Sequence, residues 1–547
     1  MKTQRMKIRQ TETTETNTTP DIRPRSRPRL VSVALRVLSP ALLAAACATP
    51  PPAAPPPVSP LAPPVANAPP AAPTPPPAPP PPPRMTPDAP FRAEAPKAGA
   101  EPQFQVPAFK RFKLPNGLEV VLAEFHDLPL IDLNLYVKSG GGANPPEMSG
   151  LAEMTANMLD EGTKTRTALQ IADQLSVLGA TLNAGSSWDA STVSLSTLTK
   201  TFDAALDVWA DVIQNPRFDE AEFTRVRDNV LTAITRRKDA PPTVAQLAMV
   251  RVLFGTHHPY GWPLSGVEES LKKLTTADLT KFYQAHYRPN NAVLIVAGDT
   301  TEAELRAKLA PALKGWKAGH VVAHKLAAPP LPPAGSKNRI ALIDKAQAPQ
   351  SSIRVGLVGI DRLNPDYHAL TVMNLILGGG FYRLDLNLRE GKGWTYGARS
   401  TFESRKAPGP FSAGGEFVAA HTAESVGEIL REINGMRDAD VTDAELARAK
   451  DQISKSFPAR FATRAAVANQ LAEIAIYGLP DNYLREFTRK IMAVTKDDVR
   501  RVARKYLEPS RLAVVVVGDE KSLREPLAKF GTVETRDLDG NLVTGKD

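Results

Sequence analysis

The sequence predicts an α+β fold built twice, as two tandem homologous domains in which helices pack on a sheet to form an α/β sandwich. Three observations carry this. Thr275–Asp299 aligns without gaps to Thr495–Asp519, an offset of 220 residues that places Asp278 on Asp498, Pro289 on Pro509 and Gly298 on Gly518. The same offset carries Val120 and Leu122 onto Ile340 and Leu342, and Leu133, Leu135 and Val137 onto Ile353, Val355 and Leu357. Such a period is far too long for a solenoid, so it marks a duplicated domain. Within the first copy, strand-like alternation gives way to helical spacing and then returns to a buried strand, the pattern of a mixed fold.

In chain order, residues 1–47 come first. The segment 1–36 holds nine Lys/Arg against three acids, a local +6 that leaves only +3 of the chain's net +9 for everything else. The high isoelectric point is therefore mostly a property of the N-terminus and is no evidence for a nucleic-acid surface on the folded part. Leu30–Ala46 is apolar and small, and it runs into Cys47, the one cysteine, which excludes an internal disulfide. A basic stretch, an apolar stretch, small residues and then Cys resemble a bacterial lipoprotein signal. The resemblance implies lipidation at Cys47 and a chain anchored in the cell envelope on the periplasmic side; Ala48 is compatible with outer-membrane sorting. Arg36 interrupts the apolar run, and an ordinary cleaved signal or an Arg-rich transit peptide are the alternatives. Residues 48–107 are dominated by Pro and Ala, which can neither continue a helix nor pair in a sheet. They read as a disordered, polyproline-like spacer of ~55 residues reaching at most roughly 170 Å.

The first domain spans 108–326. Gly117–Glu124 reads as a strand, and Ile131–Val137 alternates as a half-buried strand ended by Gly140–Gly142. Ser149–Met158, Ala168–Leu178, Phe202–Ile213 and Glu220–Arg237 read as helices, with Val193 and Leu195 on a strand between them. Ala292–Gly298 (AVLIVAG) is a fully buried strand. A Pro-rich linker, 327–337, leads to the second domain, 338–531, and a polar tail, 532–547, reads as loose.

Leu377–Ser400, LGGGFYRLDLNLREGKGWTYGARS, is the stretch with most to say about function. Gly378, Gly379 and Gly380 allow a turn or a close approach by another chain. A helical segment closes at Arg389 and Glu390, and Trp394–Ala398 begins a strand. Arg383, Leu384, Leu388, Arg389, Glu390, Gly393 and Tyr396 closely resemble the signature of the C-terminal half of pitrilysin/insulinase-type inverted-zincin metallopeptidases, with a turn one residue shorter near Phe381 and Tyr382. The resemblance covers about residues 108–531. It implies that the two domains face each other across a cavity, that Arg389 and Tyr396 polarise the scissile peptide carbonyl, and that Gly378–Gly380 line the path of a peptide. Hydrogen-bond donors aimed at a developing oxyanion are worth about 10²–10³ in rate each. Taken alone, the residues also fit Arg389 paired to a surface carboxylate and Tyr396 half-buried in a strand.

The zinc motif of the resembled enzymes, H-x-x-E-H on the first helix, is degenerate here. In GLAEMTANMLDEGT, Glu153 and Asn157 hold the ligand positions, Ala156 the general-base position, and Ala233 the position of the third ligand. Asp160 and Glu161 read as a solvated helix end. His257–His258 sits in a loop resembling the family's H-P-Y-G element, and His320 and His324 lie near the linker without a neighbouring acid. No dinucleotide or phosphate-binding glycine motif is present. The resemblance therefore implies no cofactor in this chain and zinc in a homologous partner that keeps H-x-x-E-H. On this reading the chain is the non-zinc subunit of a heterodimeric peptidase. The alternatives are a peptide-binding or scaffold protein of the same fold, and a self-sufficient metallopeptidase with a metal site the sequence does not reveal.

Overall fold

Strand alternation and helix caps convert this sequence into two sheets of the same plan. A computed structural model describes residues 104–543 except 323–325, 327, 330 and 334. The segment 1–47 with Cys47, nearly all of the spacer 48–107, His324 and the last four residues lie outside the described residues. The first domain runs β1 (Lys110–Lys113), β2 (Glu119–Glu124), β3 (Leu130–Val137), α1 (Leu151–Asn157), α2 (Ala168–Leu178), β4 (Thr181–Ser186), β5 (Ser191–Leu198), α3 (Phe202–Gln214), α4 (Glu220–Arg237), α5 (Pro241–Phe254), α6 (Glu268–Lys273), α7 (Thr276–His286), β6 (Ala292–Gly298) and α8 (Glu302–Ala312). The second runs β7 (Asn338–Asp344), β8 (Gln350–Val358), α9 (Tyr367–Gly378), α10 (Arg383–Asp385), β9 (Thr395–Phe402), β10 (Pro410–Val418), α11 (Thr422–Asp438), α12 (Asp443–Ser456), α13 (Arg464–Tyr477), α14 (Tyr483–Met492), α15 (Lys496–Tyr506), β11 (Ala513–Gly518), α16 (Glu520–Ala528) and β12 (Gly531–Arg536).

The sheets order as β1-β2-β6-β3-β5-β4 and β12-β7-β11-β8-β10-β9. Five positions correspond between them, and the 220-residue offset carries α7 onto α15 residue for residue. The repeated threonines have a mechanical role. Thr275 and Thr495 cap α7 and α15, each hydroxyl accepting the N–H of the Asp three residues on, whose carboxylate returns to the cap backbone. The sixth position differs. In the first sheet it is β1, antiparallel to β2. In the second it is β12, parallel to β7. The expected loose tail at 532–547 is corrected accordingly: Thr532–Arg536 continue a strand, because the free edge of β7 offers unpaired backbone groups beside Gly531–Arg536.

The two domains are joined by an exchange of helices. Along β6, Leu294 and Val296 face the first domain's own helices, whereas Val293, Ile295 and Ala297 face α13 of the second domain. Along β11, Val514 and Val516 face their own helices, whereas Val515 and Val517 face α5 of the first domain. Each sheet is thus covered on one face by its own chain segment and on the other by a helix from the opposite repeat. This is why β6 and β11 are buried at every residue. On α13 the buried stripe is Val467, Ala468, Leu471, Ala472 and Ala475, whose small members let the helix sit close to the sheet.

A buried polar knot accompanies this exchange. Asp189 is 6 % exposed and accepts from the phenols of Tyr260 (3.2 Å) and Tyr477 (2.9 Å) and from the Lys406 N–H (3.0 Å). The Lys406 Nζ donates to the carbonyls of Lys138 and Asp189, both at 2.8 Å. Burial raises the pKa of both phenols, reinforced by the Asp189 charge, and lowers that of Lys406. Donors and acceptors from both domains are satisfied only when the two are docked in this register.

Candidate active-site surface

Arg389 and Tyr396 stand at the outer edge of the second sheet, on segments tied together by one buried carboxylate. After α9, Gly378 and Gly379 turn the chain. A Cβ on Gly378 would lie 2.2 Å from the Ser400 nitrogen of β9, and one on Gly379 would lie 2.2 Å from Leu375 Cδ1. Packing alone therefore demands glycine at both positions, while Gly380 faces open space with nothing nearer than 3.8 Å. The turn that reads as one residue short closes with Phe381 at φ 61°, a left-handed conformation that bulky residues rarely adopt. Its ring lies 5.5 Å from the Arg389 guanidinium.

Asp385 was not singled out in the sequence, yet it organises this corner. It is 2 % exposed. Its Oδ2 accepts the Phe381 N–H (3.1 Å) and its Oδ1 the Ala398 N–H on β9 (3.2 Å). The same Oδ2 lies 3.8 Å from Arg389 Nη1. One carboxylate thus fixes the glycine turn and the strand bearing Tyr396, and lies beside the Arg389 guanidinium. From Leu386 to Gly391 the helix widens into a π turn, with Arg389 at its outer side. Replacing Asp385 with Asn leaves two buried N–H groups competing for one oxygen. The expected cost is about 1–3 kcal/mol in urea unfolding, and an unchanged midpoint would remove Asp385 from this role.

Tyr396 is 91 % exposed. Ala398 and Ser400, two and four residues on, are buried, so simple alternation would turn Tyr396 inward as well. A β-bulge prevents this. Ala398 pairs with Gly415 and Thr395 with Phe417, so that Tyr396 and Gly397 together oppose Glu416. The extra residue flips the strand's parity and aims the ring outward. Thr395 holds the bulge: its hydroxyl donates to Glu416 O (2.6 Å) and accepts the Gly397 N–H (3.1 Å). The reading of Tyr396 as a half-buried strand residue is corrected by this bulge. Arg389 remains 41 % exposed, with Glu390 Oε1 3.4 Å from its Nε.

Arg383, another member of the motif, has a structural partner. Its Nε and Nη2 reach Glu445 Oε1 and Oε2 on α12 at 2.6 and 3.0 Å, a two-pronged pair. The Arg383 bond is the main reason that the Glu445 carboxyl is held down at about 2. A depressed carboxylate contributes stability above its unfolded pKa of about 4.3 and loses it as the pH falls toward 2. Arg383→Ala is expected to cost about 2–3 kcal/mol at neutral pH. It should also flatten the acid loss of stability between about pH 4.3 and 2, as followed by urea titrations at each pH.

On the first domain, Glu153 lies on α1 with its Oε2 accepting the Ser186 N–H of β4 (2.8 Å). Burial raises its pKa against the opposing pull of that N–H and of Asn157. Ala156 is buried, and Ala233 is exposed on α4. Asp160 is not solvated as expected: it is half-buried, and burial pushes its carboxyl up to about 6. Glu161 pairs with Arg225 of α4. His258 is buried, its Nδ1 accepting the Tyr260 N–H at 3.0 Å, so it caps a turn. Among the described residues no three His, Cys, Asp or Glu side chains gather in a metal-binding group.

Two family models cover most of the folded region. The model described as "Insulinase (Peptidase family M16)" matches residues 120–259, and "Peptidase M16 inactive domain" matches residues 273–453. The chain belongs to the insulinase (M16) family. Among relatives of this family, an uncharacterized zinc protease of Bacillus subtilis, YmxG, is 24 % identical over 409 residues, covering 74 % of this chain and 98 % of its own. A probable mitochondrial-processing peptidase subunit beta of Arabidopsis thaliana is 24 % identical over 420 residues, 75 % of this chain and 78 % of that one. The crystal structure of a peptidase M16 inactive domain from Pseudomonas fluorescens superposes with a TM-score of 0.70 at 29 % identity, over 75 % of this chain and 98 % of that one.

Insulinase-family membership raises the question of zinc, and the residues present do not fit it. Of the four degenerate positions, two are alanines without donor atoms. The one carboxylate, Glu153, is engaged by a backbone N–H and by Asn157. Catalytic zinc takes three protein ligands, which these positions cannot supply. This is an insulinase-family, peptidase-like chain whose first helix lacks a zinc ligand set.

Proposed function

We propose that this chain is the non-zinc subunit of a two-chain zinc peptidase of the cell envelope. The observation that carries the reading is the outward aim of Tyr396. A bulge with its own threonine bracket turns a phenol fully into solvent, beside a half-exposed Arg389. The Tyr396 phenol has no partner among the described residues, and Arg389 stays half-exposed beside Asp385 and Glu390; both suit groups completed by another protein. In this reading a homologous partner with an intact H-x-x-E-H supplies zinc and the activated water. Arg389 and Tyr396 donate to the carbonyl oxygen of the scissile bond, and the Gly378–Gly380 turn borders the peptide, with Gly380 the one glycine open to it. Lipidation at Cys47 would tether the pair on the periplasmic side of the outer membrane, through the Pro/Ala spacer. That part rests on the sequence of residues 1–107.

The test is a native pull-down of the tagged full-length chain from its own membranes, followed by mass spectrometry. A near one-to-one partner bearing H-x-x-E-H is the expected result. Recovery of only this chain, or of unrelated envelope proteins, would favour a peptide-binding scaffold and leave Arg389 and Tyr396 without a catalytic role.

A further inference from the structure

Arg389, Arg399 and Arg448 flank the glycine turn of the candidate surface. Arg389 has carboxylates beside it, Asp385 at 3.8 Å and Glu390 at 3.4 Å. Arg399 is exposed on β9, three residues beyond Tyr396. A Cβ built on Gly380 would lie 3.8 Å from its Nη1, so the guanidinium borders the open glycine. Arg448 is exposed on α12. Its Nη2 donates to the Phe381 carbonyl at 2.9 Å, and its guanidinium lies 4.1 Å from the centroid of the Tyr382 ring. No carboxylate pairs with Arg399 or Arg448 among the described residues, because the acids of the surrounding segments are engaged. Glu445 holds Arg383 through both oxygens, Glu416 pairs with Arg354 at 2.9 Å and Asp451 with Lys455 at 2.7 Å. Asp385 is buried on two backbone N–H groups. The sheet gives Arg399 no partner either, because its neighbour across β10 is Gly414.

An exposed cation is well solvated, so the lack of a partner carries nothing by itself. Position is what singles these two out. Both sit on Gly380–Phe381, the turn that the peptidase reading places against the substrate. A guanidinium there offers the planar pair of donors that a carboxylate accepts, and a peptide lying over the turn shields that pair from water. We infer that Arg399, assisted by Arg448, selects peptides that carry a carboxylate a few residues from the scissile bond. That carboxylate is either an Asp or Glu side chain or the free C-terminus of the peptide. Strand geometry sets the spacing. Extended chains advance about 3.3 Å per residue, so Arg399 is rooted roughly 10 Å along β9 from Tyr396, and a peptide running beside that strand covers the distance in about three residues. The inference rests on the reading of Arg389 and Tyr396 as substrate-facing groups; the charge preference itself needs neither zinc nor a partner.

The experiment measures binding and turnover separately. Dye-labelled unstructured peptides, identical except for Asp or Asn at one position on either side of the centre, are titrated with the full-length chain and followed by anisotropy at low and high salt. Peptides ending in a carboxylate or an amide are compared in the same way, and all are offered to the chain with any co-purified zinc-bearing partner. Asp peptides are expected to bind about five- to tenfold tighter than their Asn twins at one or two neighbouring positions. The gap should narrow as salt rises. Arg399→Gln should bring the ratio to about one, Arg399→Glu should turn the preference toward Lys peptides, and Arg448→Gln should reduce it. Both side chains are exposed, so these variants should melt close to wild type. A preference for acid over amide ends, with no effect of internal Asp, would assign the carboxylate to the peptide terminus. Equal affinity for every pair of twins, no binding of any peptide, or a wild-type ratio in Arg399→Gln would overturn the proposal. Charge preference in binding without hydrolysis by any assembled pair would count against the two-chain reading and leave this site standing. Hydrolysis by a pair that shows no such preference would do the reverse.

Discussion

Leu471→Asp is expected to unfold the chain at or near room temperature, although Leu471 belongs to neither the repeat signature nor the candidate catalytic surface. Leu471 is 2 % exposed on α13 and sits against β-strand residues of the opposite domain. Truncating such a leucine to Ala costs about 2–5 kcal/mol. Asp adds the burial of a carboxylate with no partner in an apolar layer, several kcal/mol more. The total rivals the roughly 5–15 kcal/mol that stabilises a typical protein. Urea unfolding should show Leu471→Ala shifted well below wild type and Leu471→Asp without a native baseline. Asn469→Asp, on the exposed side of the same helix, should be nearly silent. A wild-type midpoint for Leu471→Asp would mean that α13 is not what holds the first sheet's second face.

That layer was the part of the fold least legible in the sequence. Half of the first domain's helices, α1 to α4, and its strands β2, β3, β5 and β6 follow from periodicity: α2 and α4 begin and end where apolar spacing places them, and β6 is the buried run AVLIVAG, whereas β1, β4 and α6 to α8 carry no such pattern. The duplication was legible because its markers are cap and strand residues that cannot vary freely in position. α5 and α13 were not. α5 is apolar on nearly every face, and α13 scatters its polar residues among alanines, so no amphipathic stripe announces either helix. α5 also begins with two prolines, which a first helical turn tolerates. At the candidate site, Arg389 and Tyr396 were visible as a motif, whereas the parts that aim them were not. The bulge depends on a register between β9 and β10 that no local pattern encodes. Asp385 looks like an ordinary helix residue until the fold brings Phe381 and Ala398 to its two oxygens.

On the proposed two-chain reading, Arg389→Ala in the assembled pair is expected to lower kcat/KM by about 10²–10³, or about 2.7–4 kcal/mol of transition-state stabilisation. The partner should stay bound in gel filtration. The reasoning is differential: negative charge on the carbonyl oxygen develops only as water attacks, so a guanidinium there contributes more to the transition state than to the bound peptide. Arg389→Lys should recover part of the loss, because an ammonium restores charge but not the fork of donors. Tyr396→Phe separates chemistry from folding more sharply. With the ring 91 % exposed and its phenol engaged by nothing among the described residues, removing the hydroxyl takes nothing from the stability of this chain. Any fall in turnover then belongs to the substrate. If Arg389 and Tyr396 act on one oxygen, the double variant should lose less than the product of the single losses. Unchanged turnover in Arg389→Ala would sink the catalytic role, leaving the bulge and the Asp385 anchor as architecture for binding alone.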